Sequence, residues 1–276
     1  MLNRRLHWFA MAVYGDLVRY RDLFANLFRR DFHAKYRGSV LGVLWSLVNP
    51  IALLLVYLVV VGVIWNKTKG IPHYPLYLLS GLACWIFFAA SLQTAARSMV
   101  DSADLIRKVR FPRQLVAFSV VATQAVTFAV MLALVMVLSL IFIPGARSTV
   151  WLVIPLAPLY AALVAGLALV VACLNAVLRD VEHLLTAALL PWFFLTPILW
   201  SFATLDPSQL AHHKLIEVLR WGNPIAPPIA ALRDALWSGH APTAGDTIYL
   251  AVAAAVALVL GSVVFHRIDD RLAIEL

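Results

Sequence analysis

Charged residues and cysteines are scarce in this 276-residue chain. Lys, Arg, Asp and Glu make up 13% of it, whereas hydrophobic residues make up 63%. A soluble globular domain usually carries roughly 25% charged and 45–50% apolar residues. The chain therefore has too few charges to cover a water-facing surface and too many apolar residues to be disordered, which leaves a polytopic membrane protein. The two cysteines, Cys84 and Cys173, exclude a disulfide framework and are expected to be small buried hydrophobes.

Stretches without Asp, Glu, Lys or Arg locate the membrane spans. Six of them are long enough to supply the roughly 20 apolar residues that a helix needs to cross the bilayer, and none alternates with the period of a barrel strand. We therefore predict an all-α fold with six transmembrane helices, forming a single transmembrane domain over residues 1–276. The predicted spans are 40–65, 76–96, 115–143, 150–174, 184–202 and 247–265.

Ionisable and nucleotide-binding groups are missing where an active transporter would need them. None of the predicted spans contains Asp, Glu, Lys, Arg or His, which argues against ion-gradient coupling. None of the five lysines follows a glycine, so the chain has no P-loop, and no metal or hydrolase motif occurs. We expect a non-enzymatic subunit with no catalytic residue, metal or cofactor of its own, whose energy enters through a partner.

The distribution of basic residues predicts the orientation in the membrane. With the N-terminus in the cytoplasm, 16 of the 22 Lys and Arg residues lie on the inner side and 6 on the outer side. This asymmetry predicts that both termini are cytoplasmic. Because the positive charges follow topology and form no single patch, membrane lipids and a cytoplasmic partner are favoured over nucleic acid.

Residues 16–37 combine apolar positions at spacings of three and four with a basic opposite face. The pattern predicts an amphipathic helix in the cytoplasmic interface. Periodicity favours a membrane anchor over an arm that seats a cytoplasmic subunit. Four basic residues are candidates for binding anionic headgroups at the inner mouth, although simple anchoring is favoured for each: Arg29, Arg30, Lys35 and Arg37.

The inner loop 97–113 predicts a short helix over 103–110, capped by Asp101 or Ser102 and stopped by Pro112. A docking helix for a cytoplasmic partner and a simple connector are both open. The candidate coupling residues are Asp101, Asp104, Arg107, Lys108, Arg110, Phe111 and Arg113.

Residues 203–246 contain apolar runs that are too short to span and are broken by prolines. They predict a helical hairpin that dips into the outer leaflet; the alternative is an ordinary outer loop on the headgroups. Its candidate residues are Asn223, Pro224, Arg233 and Asp234.

Aromatic side chains could line a path for sugar rings, whose C–H faces stack on aromatics, but interfacial belts and packing are favoured for any single residue. The candidates are Trp45, Trp85, Trp192, Phe193 and Phe194.

Several stretches together resemble the type-2 ABC exporter permeases, over about residues 20–240. The sequence from Lys35 to Gly42, with Trp45 and Asn49-Pro50, is similar to the start of that family's first span. The similarity continues in order through Tyr74-Pro75-Leu76, Leu105 to Arg113, Asn175 with Arg179-Asp180, Trp192 to Ile198, and Asn223-Pro224 before Arg233-Asp234.

The resemblance implies a bacterial cytoplasmic-membrane permease that exports a lipid-linked cell-envelope polysaccharide such as O-antigen, teichoic acid, galactan or a capsule. It implies a homodimer with two copies of an ABC nucleotide-binding subunit, which holds the ATP and Mg. It further implies an interface helix at 16–37, a coupling helix at 101–113 and outer re-entrant helices at 203–246.

Other functions remain as alternatives. An exporter of drugs or small lipids would have the same fold. A membrane-embedded transferase would need a tight acidic or metal-binding cluster, and the outer loops offer only scattered carboxylates. The docking-type loop and the lack of a repeated pore motif argue against a passive channel.

Overall fold

A computed structural model describes residues 15–39, 42–64, 71–109, 111–202 and 213–275. Within these ranges every regular element is helical and no strand occurs, which confirms the predicted all-α class. The α-helices are α1 (Arg21–Tyr36), α2 (Trp45–Tyr57), α3 (Tyr74–Asp101), α4 (Ala103–Lys108), α5 (Gln114–Phe142), α6 (Ala146–Thr149), α7 (Val153–Val177), α8 (Val181–Leu195), α9 (His213–Trp221), α10 (Ala226–Arg233) and α11 (Ala244–Glu275). Two helices continue as π-helical turns, α2 at Leu58–Ile64 and α10 at Asp234–Ser238.

Four of the described helical segments are long and apolar enough to cross a membrane. They are Tyr74–Asp101, Gln114–Phe142, Ala146–Val177 and Ala244–Asp269. They coincide with the second, third, fourth and sixth predicted spans, and the chain is therefore a multi-pass membrane protein.

The first and fifth predicted spans differ from the structure in helix length. Helix α2 is a 13-residue α-helix followed by a 7-residue π-helical segment, while residues 40, 41 and 65 of the predicted span 40–65 lie outside the described ranges. The prediction of one helix over 184–202 is wrong, because α8 ends at Leu195. Thr196 has an extended backbone and Pro197 follows it, so the helical hydrogen-bond pattern stops there.

Helix α3 is the centre of the fold. Its most apolar stretch is 78% buried, compared with 33% for both α5 and α11. Aromatic rings fill the space around it: Phe87 stacks on Phe128 of α5 with centroids 4.6 Å apart, and Tyr160 of α7 lies 6.0 Å from Phe87. Helices α5 and α7 thus pack directly on α3, whereas α11 packs mainly on α7.

Helices α7 and α11 approach each other closely through small residues. A Cβ atom on Gly166 would lie 2.6 Å from the Ala257 carbonyl oxygen, and one on Gly261 would lie 2.8 Å from the Gly166 oxygen. Only glycine fits at such a contact, as at many close helix crossings in membranes.

Candidate functional site

The predicted amphipathic helix is present as α1 and rises obliquely along α5. Ser119 Oγ donates to Asp31 Oδ2 at 2.6 Å. Further along both helices, Lys35 Nζ donates to Gln124 Oε1 at 2.6 Å and to Thr127 Oγ1 at 2.9 Å. From residue 119 to residue 127 an α-helix rises about 12 Å, so α1 changes depth along its length. We call α1 and these contacts to α5 the inner arm.

The inner arm explains polar residues that the sequence analysis did not use. Ser119, Gln124 and Thr127 are polar residues of a mostly apolar span, and all three bond to α1. Their location within a charge-free stretch was a detectable signal of a partner helix, because polar groups in a span need hydrogen-bond partners. The identity of that partner depends on tertiary contacts between residues about 90 positions apart.

Two of the four predicted headgroup residues line one cavity. It measures about 660 Å³ and lies at the C-terminal end of α1. Arg30 and Arg37 line it together with His33, Phe32 and Tyr36. The other two are elsewhere: Arg29 is exposed, and Lys35 is bound to α5. The cavity therefore combines cationic groups with aromatic walls.

The predicted docking helix exists as α4, but its ends differ from the prediction. Ser102 is the N-cap residue, yet no side chain caps the helix, so the predicted cap by Asp101 or Ser102 is wrong. Ser102 Oγ accepts instead from Arg30 Nη2 at 3.4 Å, which joins α4 to the inner arm. The helix ends at Lys108 rather than 110, because the backbone of Val109 is extended.

The candidate coupling residues are divided between an exposed and a packed group. Asp101, Asp104, Arg107 and Lys108 are exposed. Phe111 packs beside the buried cluster of Leu27 and Leu115, and Arg113 Nη1 donates to Asp269 Oδ1 at 3.0 Å. Arg110 lies outside the described residues. Helix α4 thus exposes one acid and two bases directly after Asp101 of α3, while its Ile106 side chain is buried.

Four of the five candidate channel aromatics form one cluster. Phe193 lies 5.4 Å from both Trp85 and Phe194, and Trp192 lies 5.1 Å from Phe88. Trp45 is exposed at the start of α2, away from this cluster. A groove of about 270 Å³ between α2, α3 and α8 is lined by Tyr57, Trp85, Gln93, Thr186 and Phe193, among others. We call it the aromatic groove.

The segment that follows α8 is held by side-chain donors. Tyr77 Oη donates to the Trp200 carbonyl at 2.6 Å, Tyr74 Oη to the Leu199 carbonyl at 2.9 Å, and Arg233 Nη1 to the Pro197 carbonyl at 2.7 Å. We call these three donors and residues 196–200 the outer latch. Non-helical backbone at the end of a span must find its partners within the protein, and here it does.

Arg233 is the charged residue of the outer latch and is buried, with 6% of its surface exposed. Its guanidinium carbon lies 3.8 Å from the centroid of the Tyr77 ring, a cation–π contact. Gly81 leaves room for it, because a Cβ there would overlap Arg233 Nη2. The guanidinium group is therefore confined on two sides.

The remaining outer candidates have separate roles. Asn223 Oδ1 accepts from Trp192 Nε1 at 3.0 Å, and Asn223 Nδ2 donates to Thr196 Oγ1 at 2.9 Å, which ties α10 to the end of α8. Pro224 is half-buried in the turn before α10. Asp234 lines a different feature, an outer cavity of about 430 Å³.

Asp234 has a perturbed carboxyl group. Its pKa is raised from 3.8 to about 6, mainly by burial and also by the nearby charge of Asp246, while Arg233, Arg220 and His240 act in the opposite direction. Asp246 itself is buried and accepts from Arg220 Nη2 at 3.2 Å and from Thr243 Oγ1 at 2.7 Å.

The long apolar helices define a multi-pass membrane protein. The sequence profile described as "ABC-2 type transporter" matches residues 22–237. The chain belongs to this ABC-2 type transporter family.

Relatives are similar along nearly their whole length. The chain is 31% identical to an O-antigen export system permease protein of Myxococcus xanthus, which covers 94% of this chain and 96% of the relative. It is 26% identical to an O-antigen export system permease protein of Klebsiella pneumoniae, over 91% and 94%. A polysialic acid transport protein of Escherichia coli is 21% identical over 89% and 93%.

Proposed function

We propose that this chain is the transmembrane permease subunit of an ABC exporter that moves a lipid-linked cell-surface polysaccharide across the bacterial cytoplasmic membrane. The observation that carries the proposal is the similarity to an O-antigen export permease over 94% of the chain. ATP and Mg are bound and ATP is hydrolysed by a separate nucleotide-binding subunit. The absence of any P-loop from the sequence supports this division of labour.

The proposed topology has six crossings and both termini in the cytoplasm. Helix α2 with its π-helical continuation has a length close to the hydrocarbon thickness of roughly 30 Å. Helix α8 has only 15 residues and completes its crossing through the latched segment after Leu195. Helices α9 and α10, of 9 and 8 residues, are too short to span and form the outer re-entrant region. The 16-to-6 division of basic residues supports this orientation.

Two copies of the chain form the channel in this proposal, with two nucleotide-binding subunits below them. Apolar side chains on α2 and α8 are exposed in the single chain, including Trp45, Ile51, Leu190 and Phe194. These helices also form two walls of the aromatic groove. Pairing of two copies through these faces would cover the apolar surface and bring two aromatic grooves toward one shared path. The exposed charges of α4 would face the nucleotide-binding subunits.

The cavity of about 660 Å³ at the C-terminal end of α1 provides a place for the anionic head of the substrate. Arg30 and Arg37 line it, and its walls include Phe32 and Tyr36. A pyrophosphate would be attracted by the cations, while the lipid tail stays in the bilayer because each buried CH₂ contributes about 0.8 kcal/mol. Replacing Arg30 and Arg37 together with Gln should weaken substrate engagement more than dimer assembly. Equal effects on substrate engagement and on dimer assembly would indicate that these residues only anchor the chain to the membrane.

Reconstitution tests the proposal directly. The chain and its nucleotide-binding subunit are placed in vesicles with a fluorescently labelled lipid-linked oligosaccharide, and accessibility of the label to an external quencher is followed. We expect movement with ATP and none with a non-hydrolysable analogue. Movement of hydrophobic dyes without movement of the oligosaccharide would favour the drug-exporter alternative. Export without the nucleotide-binding subunit would contradict the proposal.

A charge reversal tests the coupling role of α4. Arg107→Glu with Lys108→Glu should impair the stimulation of ATP hydrolysis while membrane insertion is retained, because both side chains are exposed on the docking helix. Arg147→Glu, on an exposed arginine after α5, is the matched control. Unchanged export and complex formation in the double variant would exclude a docking role.

A further inference from the structure

A polar cluster joins the inner ends of α3, α7 and α8. Arg97 Nε donates to Glu182 Oε1 at 2.6 Å, and Arg97 Nη2 contacts the same oxygen. The backbone N–H of Glu182 donates to Asn175 Oδ1 at 2.8 Å, and Asn175 Nδ2 donates to the Ala96 carbonyl at 2.8 Å. We call Arg97, Asn175 and Glu182 the inner polar cluster. None of the three was a candidate in the sequence analysis.

The cluster lies between the docking helix and the aromatic groove. Arg97 is in the last turn of α3, which ends at Asp101 immediately before α4. Glu182 is the second residue of α8, and Thr186 and Phe193 of the same helix line the aromatic groove. A displacement of α4 therefore reaches the Arg97–Glu182 contact before it reaches the groove wall.

The ion pair contributes little to the stability of the fold. The Arg97 side chain is 64% exposed and that of Glu182 is 20% exposed. Exposed ion pairs stabilise a fold only weakly, because water screens the two charges. Nevertheless the pair is held in one geometry, because Asn175 is buried and fixes the first turn of α8 from the other side. The bonds of Asn175 thus keep Glu182 beside Arg97, so that a shift of α3 acts on the start of α8.

We propose that Arg97 is a positioning residue that transmits movement of the docking helix to α8 through Glu182. When the ATP-hydrolysing partner displaces α4, the inner end of α3 moves with it, and the ion pair draws the start of α8 along. This inference rests on the proposed function, and it assigns a role within it to a pair that lies outside the docking helix.

A thiol label on α8 measures that movement. Cys84 and Cys173 are buried, so Thr186→Cys, at an exposed position, supplies one accessible thiol. In the complete complex with its nucleotide-binding subunit, we expect ATP to change the maleimide labelling rate of this thiol by at least about fivefold, the lower range for coupled sites. In Arg97→Glu and in Glu182→Arg, the ratio of the labelling rates with and without ATP should fall to near one. The double exchange Arg97→Glu/Glu182→Arg should restore it.

Two controls separate transmission from a merely structural role. Arg179→Glu changes the charge of the same inner surface, two residues before α8, and should keep the nucleotide response. Export per ATP hydrolysed is the second measurement: loss of transmission lowers this ratio, whereas a structural defect lowers hydrolysis, export and melting temperature together.

The outcomes distinguish this inference from the proposed function. A wild-type complex without ATP-dependent oligosaccharide export would reject the proposed function. A complex that exports, and whose thiol responds equally in wild type and Arg97→Glu, would reject the role of Arg97. Failure of the double exchange to restore the response in an assembled complex would reject it as well.

Discussion

The inner and outer ends of the molecule are held together by different kinds of contact. At the inner end, side chains bond to other side chains, as in Lys35 with Gln124 and Arg97 with Glu182, and several of these groups are exposed. In the outer latch, buried side chains bond to backbone carbonyls that have no helical partner. The first kind of contact can be exchanged for water, whereas the second cannot without leaving a buried carbonyl unpaired.

This difference indicates where movement costs least free energy. An exposed ion pair contributes about 0–1 kcal/mol, and water replaces it when it opens. An unpaired buried carbonyl costs about 1–3 kcal/mol. The outer latch pairs three non-helical carbonyls, of which the bond to Pro197 is buried and the bonds to Leu199 and Trp200 are partly buried. We therefore expect the inner end to move first when a nucleotide-binding subunit acts on it, with the Arg97–Glu182 contact passing the movement to α8, while the outer end keeps its arrangement over most of the cycle.

The largest expected effect is that of Gly81→Ala at the outer end. The new Cβ would overlap Arg233 Nη2 and lie 3.3 Å from Ile198 Cγ2. The guanidinium must then leave the Tyr77 ring or the Pro197 carbonyl, and we expect a loss of about 2–4 kcal/mol in unfolding free energy. Thermal unfolding in detergent, followed by tryptophan fluorescence, measures it.

The matched control is Gly145→Ala, also at the outer end. Its Cβ would meet Gly239 Cα at 3.5 Å, an ordinary contact, and its φ of −64° suits alanine. We expect little change there. If Gly81→Ala and Gly145→Ala have the same melting temperature, the Arg233 guanidinium is less confined than the structure indicates.

The second effect, somewhat smaller, is that of Tyr77→Phe. This change removes the hydroxyl that donates to the Trp200 carbonyl and keeps the ring beneath Arg233. We expect a loss of about 1–3 kcal/mol, because that carbonyl lies outside any helix. Tyr160→Phe removes an equally buried hydroxyl, but the Cys84 carbonyl it bonds lies inside α3, so its loss should be smaller. Equal losses in the same melting assay would contradict the argument.

The third prediction concerns pH and has the opposite sign. The pKa of Asp234 is raised from 3.8 to about 6, so the folded protein binds this proton more tightly than the unfolded chain does. Its contribution to stability therefore falls as pH rises from about 4 to about 6, and the penalty is complete above that range. At pH 7.5 we expect Asp234→Asn to stabilise the protein by about 1–2 kcal/mol, reduced for partial exposure of the carboxyl group.

Melting curves of wild type and Asp234→Asn between pH 4 and pH 8 measure this difference, which should nearly vanish at the acid end. Asp104→Asn on the exposed helix α4 is the control for a general charge effect. A constant difference between wild type and Asp234→Asn at all pH values would exclude the carboxyl as its source.

The two ends also differ in how well the sequence predicts them. Apolar length predicted the four long helices, because a span of sufficient hydropathy is a local property. It predicted a helix through 202, where the structure ends α8 at Leu195, because the donors that satisfy residues 197–200 come from Tyr74, Tyr77 and Arg233, distant in sequence. Amphipathic periodicity predicted α1 but not its oblique course, which is determined by polar groups on α5.

The smallest expected effect is that of Lys35→Met in the inner arm. Methionine keeps much of the apolar stem and removes the ammonium group that bonds Gln124 and Thr127. We expect a change of about 1 kcal/mol in melting stability, because the lysine is exposed and Thr127 keeps the Tyr36 hydroxyl as a partner, while the buried Gln124 loses its bond to the lysine. Amide hydrogen exchange should nevertheless become faster in the C-terminal half of α1 and stay unchanged in α3 and α7. Arg21→Met, which removes an exposed ion pair from the same helix, should leave that exchange as it is. If Lys35→Met instead lowers the melting temperature as far as Gly81→Ala does, the inner arm is as firmly fixed as the outer latch, and α1 cannot be the element that yields when the partner hydrolyses ATP.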